Sequence, residues 1–343
     1  MRSSLSSAGN ALNFLRLLLA GAVVLSHTFV LGGYGAEPSL NGDTLGIWAV
    51  YGFFALSGYL IAQSRTRVPM GAFLLHRALR IFPGFWICLI VVAFAIAPLT
   101  AFLITHESWR SDSAISYVGR NAVLVINQWG IADTLTSVPH AGSWNGSLWT
   151  LQHEFTAYVL VGLLLTSRRG RTPAAAGLAT FMATGLAIWV QSDPAAFPYV
   201  LTLAIPLVPF FLAGNLVWSV ADRVPASWPV VAAAAFAFAA LCWLGVGPEL
   251  GPVPLSVALL GLGALLPTRI GSRNDISYGL YIYAFPIQQV LAASPLVSRI
   301  GPLLFAGLAL GITTPLAWAS WLFVERPALR LKNWSRRSAP VRS

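Results

Sequence analysis

Three ionisable side chains stand inside apolar stretches of the chain: Arg16, His27 and Glu154. Charged groups within a bilayer are costly, so each is a functional candidate by default. Arg16 and His27 are eleven residues apart, about three helical turns. On a helix that puts them within about one residue step of the same face, ~16 Å apart along the axis. One groove would then carry a cation at its mouth and an imidazole deep within. Taken singly, Arg16 could snorkel to headgroups and His27 could sit at a helix end. The shared face strengthens the functional reading. Glu154 lies about seven residues into its stretch, where a carboxylate must pair, take a proton or line water. A Glu beside an imidazole orients it and raises its basicity, so His27 with Glu154 reads as a general base and its partner. His153 points about 100° away from Glu154 on a helix and is the weaker base. Arg77 and Arg80, three apart, face one way on an expected helix, and their forks suit phosphate. Loops on the cytoplasmic side need arginines in any case.

The elements that would position these groups follow from composition. Of 343 residues, 57% are hydrophobic and 9% charged, against roughly 25% charged in a soluble domain. Such a chain cannot cover a water-facing surface, and it is too apolar to be disordered. Apolar blocks separated by Pro and Gly indicate an all-α, polytopic membrane bundle rather than a barrel. The net charge of +10 comes almost wholly from arginine, with Lys332 the single lysine. No basic, aromatic-interleaved soluble domain holds it, so nucleic acid is not an expected partner.

Ten stretches are long and apolar enough to read as spans: Ala11–Leu31, Thr44–Ala62, Pro83–Ile104, Ser147–Thr166, Pro173–Val190, Pro198–Val220, Trp228–Val246, Pro252–Leu266, Ile276–Ala293 and Pro302–Val324. With the N-terminus inside, 17 of the 21 basic residues fall on the cytoplasmic side, so both termini are expected there. The outer loops then hold Glu37, Asp43, Glu107, Asp112, Asp133, Asp193 and Glu249. Residues 1–334 read as one integral membrane domain and 335–343 as a short basic cytoplasmic tail. The stretch Val68–Phe82 reads as an interfacial helix, Ile115–Ile126 as a short outer helix, and Trp144 as part of an aromatic belt. No two histidines fall at helical ligand spacing and neither Cys88 nor Cys242 joins a cluster, so no metal is expected. No phosphate-cradling Gly-x-x-x-x-Gly-Lys loop occurs. Ser57 lacks the Gly-x-Ser-x-Gly elbow of a serine hydrolase.

Six short motifs in order resemble one family. They are Asn13-Phe-Leu-Arg16 with His27 eleven residues on, Phe53-Phe54-Ala-Leu-Ser57-Gly58-Tyr59, Arg77-Ala-Leu-Arg80-Ile-Phe-Pro83, Asn145-Gly-Ser147-Leu-Trp149-Thr-Leu-Gln-His153-Glu154, Ile276-Ser277-Tyr278-Gly-Leu-Tyr281 and Glu325-Arg326-Pro327. In these the chain resembles the membrane acyltransferase 3 family, the bacterial carbohydrate O-acyltransferases, over nearly its whole length. Three departures mark a variant branch without an appended extracellular domain. Asn13 stands where many members have Asp, Ala284-Phe285-Pro286 where many have His-x-Pro, and Glu154-Phe155 where many have two carboxylates.

The resemblance implies a multi-pass protein of the bacterial inner membrane. It implies transfer of an acyl group, most simply acetyl, from cytoplasmic acyl-CoA to a hydroxyl of an exported or lipid-linked glycan. Acetyl-CoA or another short acyl-CoA is then a co-substrate, and no cofactor is tightly bound. Arg16, Arg77 and Arg80 become the expected ligands of the CoA phosphates, and His27 and Glu154 the catalytic pair. Asn13, Ser57, Asn145, Ser147, Trp149, His153, Tyr278 and Tyr281 are candidate pocket residues on the acceptor side. The alternative is a glycan or lipid exporter or flippase, which would also place polar groups within the membrane. The acceptor sugar and the oligomeric state are not legible.

Overall fold

The computed structural model describes residues 1–6, 9–268, 270–271 and 274–333; the basic tail 335–343 lies outside them. All ten apolar stretches fold as helix, chiefly Leu12–Leu31, Leu45–Arg65, Met70–Val91, Trp149–Leu164, Pro173–Ser192, Leu207–Val220, Trp228–Trp243, Pro252–Leu265, Ser277–Ala293 and Pro302–Ser320. Among the described residues, six helical runs are long and apolar enough to cross a membrane: Leu12–Leu31, Leu45–Arg65, Met70–Thr105, Pro173–Ser192, Tyr199–Val220 and Pro302–Arg330. Beta structure is confined to a two-residue ladder pairing Ser39–Leu40 with Asp43–Thr44. Leu99, Phe102, Phe181, Trp243, Leu303 and Phe323 are exposed on helix faces, the surface lipid would cover.

The stretch expected as a separate interfacial helix, 68–82, is instead the first half of one long helix. Pro83 sits inside Met70–Val91 without ending it. A proline costs one backbone hydrogen bond there, and neighbouring groups within a membrane protein can satisfy what it frees. Two π-helical turns, Val92–Ile96 and Ala101–Thr105, carry the run to its end. The short helix expected at 115–126 forms earlier, at Ser111–Asn121.

The described residues cluster into two compact units. The first comprises Met1–Leu19, Ser39–Leu74 and His153–Arg273, the second Ala20–Pro38, Leu75–Gln152 and the chain from Asn274 onward. In the first, a Cβ on Gly58 would run into the Phe211 carbonyl and one on Gly214 into the Ala55 carbonyl. Helices Leu45–Arg65 and Leu207–Val220 therefore meet backbone to backbone. Tyr51 stacks on Phe210 between them, ring centroids 4.0 Å apart. The chain's ammonium group donates to the Val224 carbonyl at 3.0 Å and Arg2 pairs with Asp222 at 2.8 Å. Buried Arg65 donates to the Gly162 carbonyl and to Thr166 Oγ1, 3.0 Å each.

The second unit is organised around Ser277–Ala293, which is buried along almost its whole length. Gly279 lets it lie against Ala317, and Val24, Ile287, Leu291, Phe305 and Ala309 form a core beside it. The loop 122–148 has no regular secondary structure but is tightly built. Asn121 accepts from the Asn127 and Gln128 backbone amides at 2.9 and 3.1 Å. Glu107 accepts from Thr136 Oγ1 and the amides of Leu135 and Thr136 at 2.5–2.7 Å. Burial pushes the Glu107 carboxyl up, but these bonds and one from Thr105 outweigh it and hold the group below its ordinary value. Trp144, read from sequence as belt, is fully buried and donates to Thr134 Oγ1 at 2.8 Å. An indole with a buried hydroxyl to bond is a loop core, whatever its hydropathy suggests.

Candidate active site

Arg16 and His27 lie on one unbroken helix, Leu12–Leu31, as their spacing requires. The helix stops at a pair of glycines. The Tyr34 amide bonds the Phe29 carbonyl at 2.8 Å, the Gly33 amide bonds that of Val30 at 3.4 Å, and Gly33 takes φ 70°. This is the left-handed C-terminal motif that glycine adopts without a steric penalty. Gly35, at φ 120°, turns the chain again. The reversal returns Glu37 to the helix it has just left.

Glu37 Oε1 lies 3.2 Å from His27 Nδ1, and Ser26 Oγ donates to Glu37 Oε2. The side chains of His27 and Glu37 are 23% and 14% exposed, and Ser26 is fully buried. A carboxylate only accepts, so in the neutral imidazole the hydrogen belongs on Nδ1 and Nε2 carries the lone pair. A histidine held in one tautomer by a carboxylate can take a proton from a hydroxyl and return it. The sequence reading assigned this partnership to Glu154 and counted Glu37 merely as an outer-loop acid. The structure places Glu37 on the imidazole, because the glycine turn brings it there. Two glycines and a carboxylate within ten residues of an intramembrane histidine were the available signal.

Glu154 belongs to the first unit and takes two hydroxyl donors there. Ser57 Oγ donates to Oε1 at 2.8 Å, and Tyr158 Oη donates to the same oxygen. Gly58, which allows the helix contact, places Ser57 one residue before it. Asn13 donates to the Gly271 carbonyl at 2.9 Å. Trp149 and His153 are half-buried on the helix Trp149–Leu164.

The remaining candidates sit in the second unit, and most of their polar atoms are engaged within it. Asn145 Nδ2 donates to the Ile282 carbonyl at 2.7 Å and Tyr281 Oη to the Ser147 carbonyl at 2.8 Å. Tyr278 Oη donates to the Ile81 carbonyl at 2.7 Å. All four residues are buried.

Arg80 is similarly engaged. Its guanidinium meets Asp275 at 2.5 Å and Glu325 at 3.6 Å, and lies 5.8 Å from each of the Tyr278 and Trp321 ring centroids. Glu325 is brought there by a π-helical turn, Trp321–Glu325, and also accepts from Ser320 Oγ at 3.1 Å. Just beyond, burial and then the charges of Arg77 and Arg80 push the Lys332 ammonium down to about 8. Positive charge is crowded at this end.

Taken together, the helices indicate a polytopic membrane protein that carries a histidine–carboxylate pair. The family described as Acyltransferase domain matches residues 10–322. The chain therefore belongs to the acyltransferase 3 family. It is 30% identical to an O-acetyl transferase of Shigella phage Sf6, over 82% of this chain and 85% of that one. It is 25% identical to nodulation protein 10 of Rhizobium leguminosarum bv. viciae, over 95% of each. It is 29% identical to the exopolysaccharide production protein ExoZ of Rhizobium meliloti, over 87% of this chain and 94% of the relative. No solved structure matches the chain.

Proposed function

We propose that the protein transfers an acyl group, acetyl in the simplest case, from acyl-CoA to a hydroxyl of a glycan. The observation that carries this reading is the His27–Glu37 pair. Sugar hydroxyls are weak nucleophiles at neutral pH, and a positioned base contributes typically 10²–10⁴-fold. His27 Nε2 takes the hydroxyl proton as the oxygen attacks the thioester carbonyl. The tetrahedral intermediate collapses, the C–S bond breaks, and the imidazolium returns the proton to the leaving thiolate. Glu37 holds the tautomer and stabilises the imidazolium. Glu154 is engaged by Ser57 and Tyr158 within the first unit and is not the carboxylate assigned to the base.

The positive charge around Arg77 and Lys332 supplies a donor end in the second unit, since a polyphosphate relieves like-charge crowding, and Arg16 of the first unit is a further candidate phosphate ligand. Arg80 frames that end through Asp275 and Glu325. The glycan acceptor is supported by the printed names of relatives, an O-acetyl transferase and an exopolysaccharide production protein. The charge pattern supports ten spans with both termini cytoplasmic, and apolar helices together with bacterial relatives support an inner membrane. Reporter fusions at Ser343 and Asp193 are expected on opposite sides; the same side for both overturns that topology.

The test of function uses purified protein in lipid nanodiscs with radiolabelled acetyl-CoA. The acceptor is polysaccharide from cells lacking the protein. Base-labile label on the polysaccharide is expected. Movement of glycan across vesicles without consumption of acetyl-CoA would make the protein an exporter instead.

A further inference from the structure

Within the second unit, Phe285 is bracketed by two imidazoles. The His27 ring meets it edge-on at 5.5 Å and the His140 ring at 6.0 Å. One turn along the same helix, Gln289 Nε2 donates to the carbonyls of His140 and Ser143 at 2.8 and 2.7 Å. Gly146 has no Cβ where one would strike the Phe285 ring. The segment 140–146 is thus fixed against the helix that carries Phe285, beside His27.

The loop that delivers this segment holds three non-glycine residues at positive φ, Leu124 at 69°, Asp133 at 60° and Leu135 at 56°. Backbone strain of that kind persists only where the surroundings over-determine it. Two polar atoms where the segment meets that helix are then left over. Ser143 Oγ and Gln289 Oε1 are buried and have no hydrogen-bond partner among the described residues. Ser143 is 7% exposed and Gln289 is fully buried. Leaving such atoms unpaired is costly, so a ligand hydroxyl that meets them gains what the protein alone forgoes. His140 itself is exposed.

We propose that His140, Ser143 and Gln289, beside Phe285 and His27, form the acceptor subsite and bind sugar hydroxyls adjacent to the one that is acylated. A hydroxyl can donate to Gln289 Oε1 and exchange a bond with Ser143 Oγ, and the exposed imidazole offers a further partner at the rim. The chemistry selects a polyhydroxylated acceptor over a simple alcohol, because a site built to bond hydroxyls rejects analogues that lack them. This rests on the acyltransfer reading and deepens it.

The variants are Ser143→Ala and His140→Gln, which leave the Gln289 bonds to the backbone in place. Acetyl transfer is followed with varied acetyl-CoA and with varied polysaccharide, stripped of its esters by mild base. Each variant is expected to raise the KM for polysaccharide about tenfold, the effect of losing one such hydrogen bond, while the KM for acetyl-CoA holds. Ser143→Ala is further expected to leave the melting temperature unchanged or raise it, since it removes an unpaired buried hydroxyl. A merely structural hydroxyl would not move the polysaccharide KM. An unchanged polysaccharide KM in both variants overturns the subsite, as does a rise in the acetyl-CoA KM instead. Wild-type turnover of acetyl-CoA onto polysaccharide tests the function itself, so the two failures are read apart.

Discussion

The helix Ser277–Ala293 has a polar cluster near each of its ends, and the two are built on opposite principles. Beside its N-terminal end, Arg80 pairs with both Asp275 and Glu325 and lies between two aromatic rings, the three side chains 13%, 13% and 1% exposed. Beside Phe285 and Gln289, His27 and Glu37 remain partly exposed, and two buried acceptors have no partner among the described residues. In the first cluster Arg80 is committed to carboxylates of its own. The second keeps a lone pair and unfilled hydrogen-bonding capacity for something else. Buried charge is therefore a poor guide to chemistry on its own; what the partners leave unsatisfied is the better one.

The comparison breaks most sharply at His27. His27→Ala is expected to lower kcat by ~10²–10⁴-fold while unfolding and acetyl-CoA binding stay near wild type. Turnover within a few-fold of wild type by the folded variant would remove His27 as the base. At the other cluster the effect moves from rate to stability. Arg80→Ala leaves two buried carboxylates without their cation, an expected loss of about 3–5 kcal/mol, read by thermal unfolding in detergent. An Arg80→Ala protein as stable as wild type, failing only in donor affinity, would return Arg80 to the donor site.

A smaller effect sharpens the choice between carboxylates. Glu37→Gln is expected to lower kcat about 10–100-fold, in the range of lost support to a functional histidine. Glu154→Gln, whose partners are hydroxyls, should fall well short of that. The reverse order would give the partnership to Glu154.

The smallest effect concerns Lys332. Burial and then the charges of Arg77 and Arg80 bring its ammonium down to about 8. The charged form attracts a phosphate and is present below that value. Affinity for CoA is thus expected to weaken as pH rises through 8, measured by calorimetry, and Lys332→Met should flatten the dependence. An unflattened dependence would assign it to another group.

Much of this architecture is legible in the sequence because hydropathy is a local property. The ten helices and the common helix of Arg16 and His27 need only neighbouring residues. Glu37 was missed although it is only ten residues from His27, because hydropathy assigns it to a loop and says nothing of a chain reversal. Two glycines at positive φ make that reversal, and their conformations are set by the helix end. Arg80 with Asp275 was missed for a different reason. The two are 195 residues apart, and no periodicity within either segment reports the other. Ser57 and Gly58 were visible as a motif, but not that the glycine serves the helix contact while the serine meets Glu154.

The π-helical turn at Trp321–Glu325 bears on how this chain can change over evolutionary time. Such a turn is, in effect, an α-helix that has accommodated one additional residue. Deleting one residue from it would restore ordinary winding and leave the helix beyond in the register it already has. A deletion or insertion in the α-helical part just before it, with no such turn to absorb it, would rotate everything beyond by about 100°, swinging Glu325 off Arg80 and turning Arg326, Arg330 and Lys332 with it. Length changes are thus tolerated at this turn and costly beside it. The reading frame of the helix, more than the identity of any one of its apolar residues, is what selection has to preserve there.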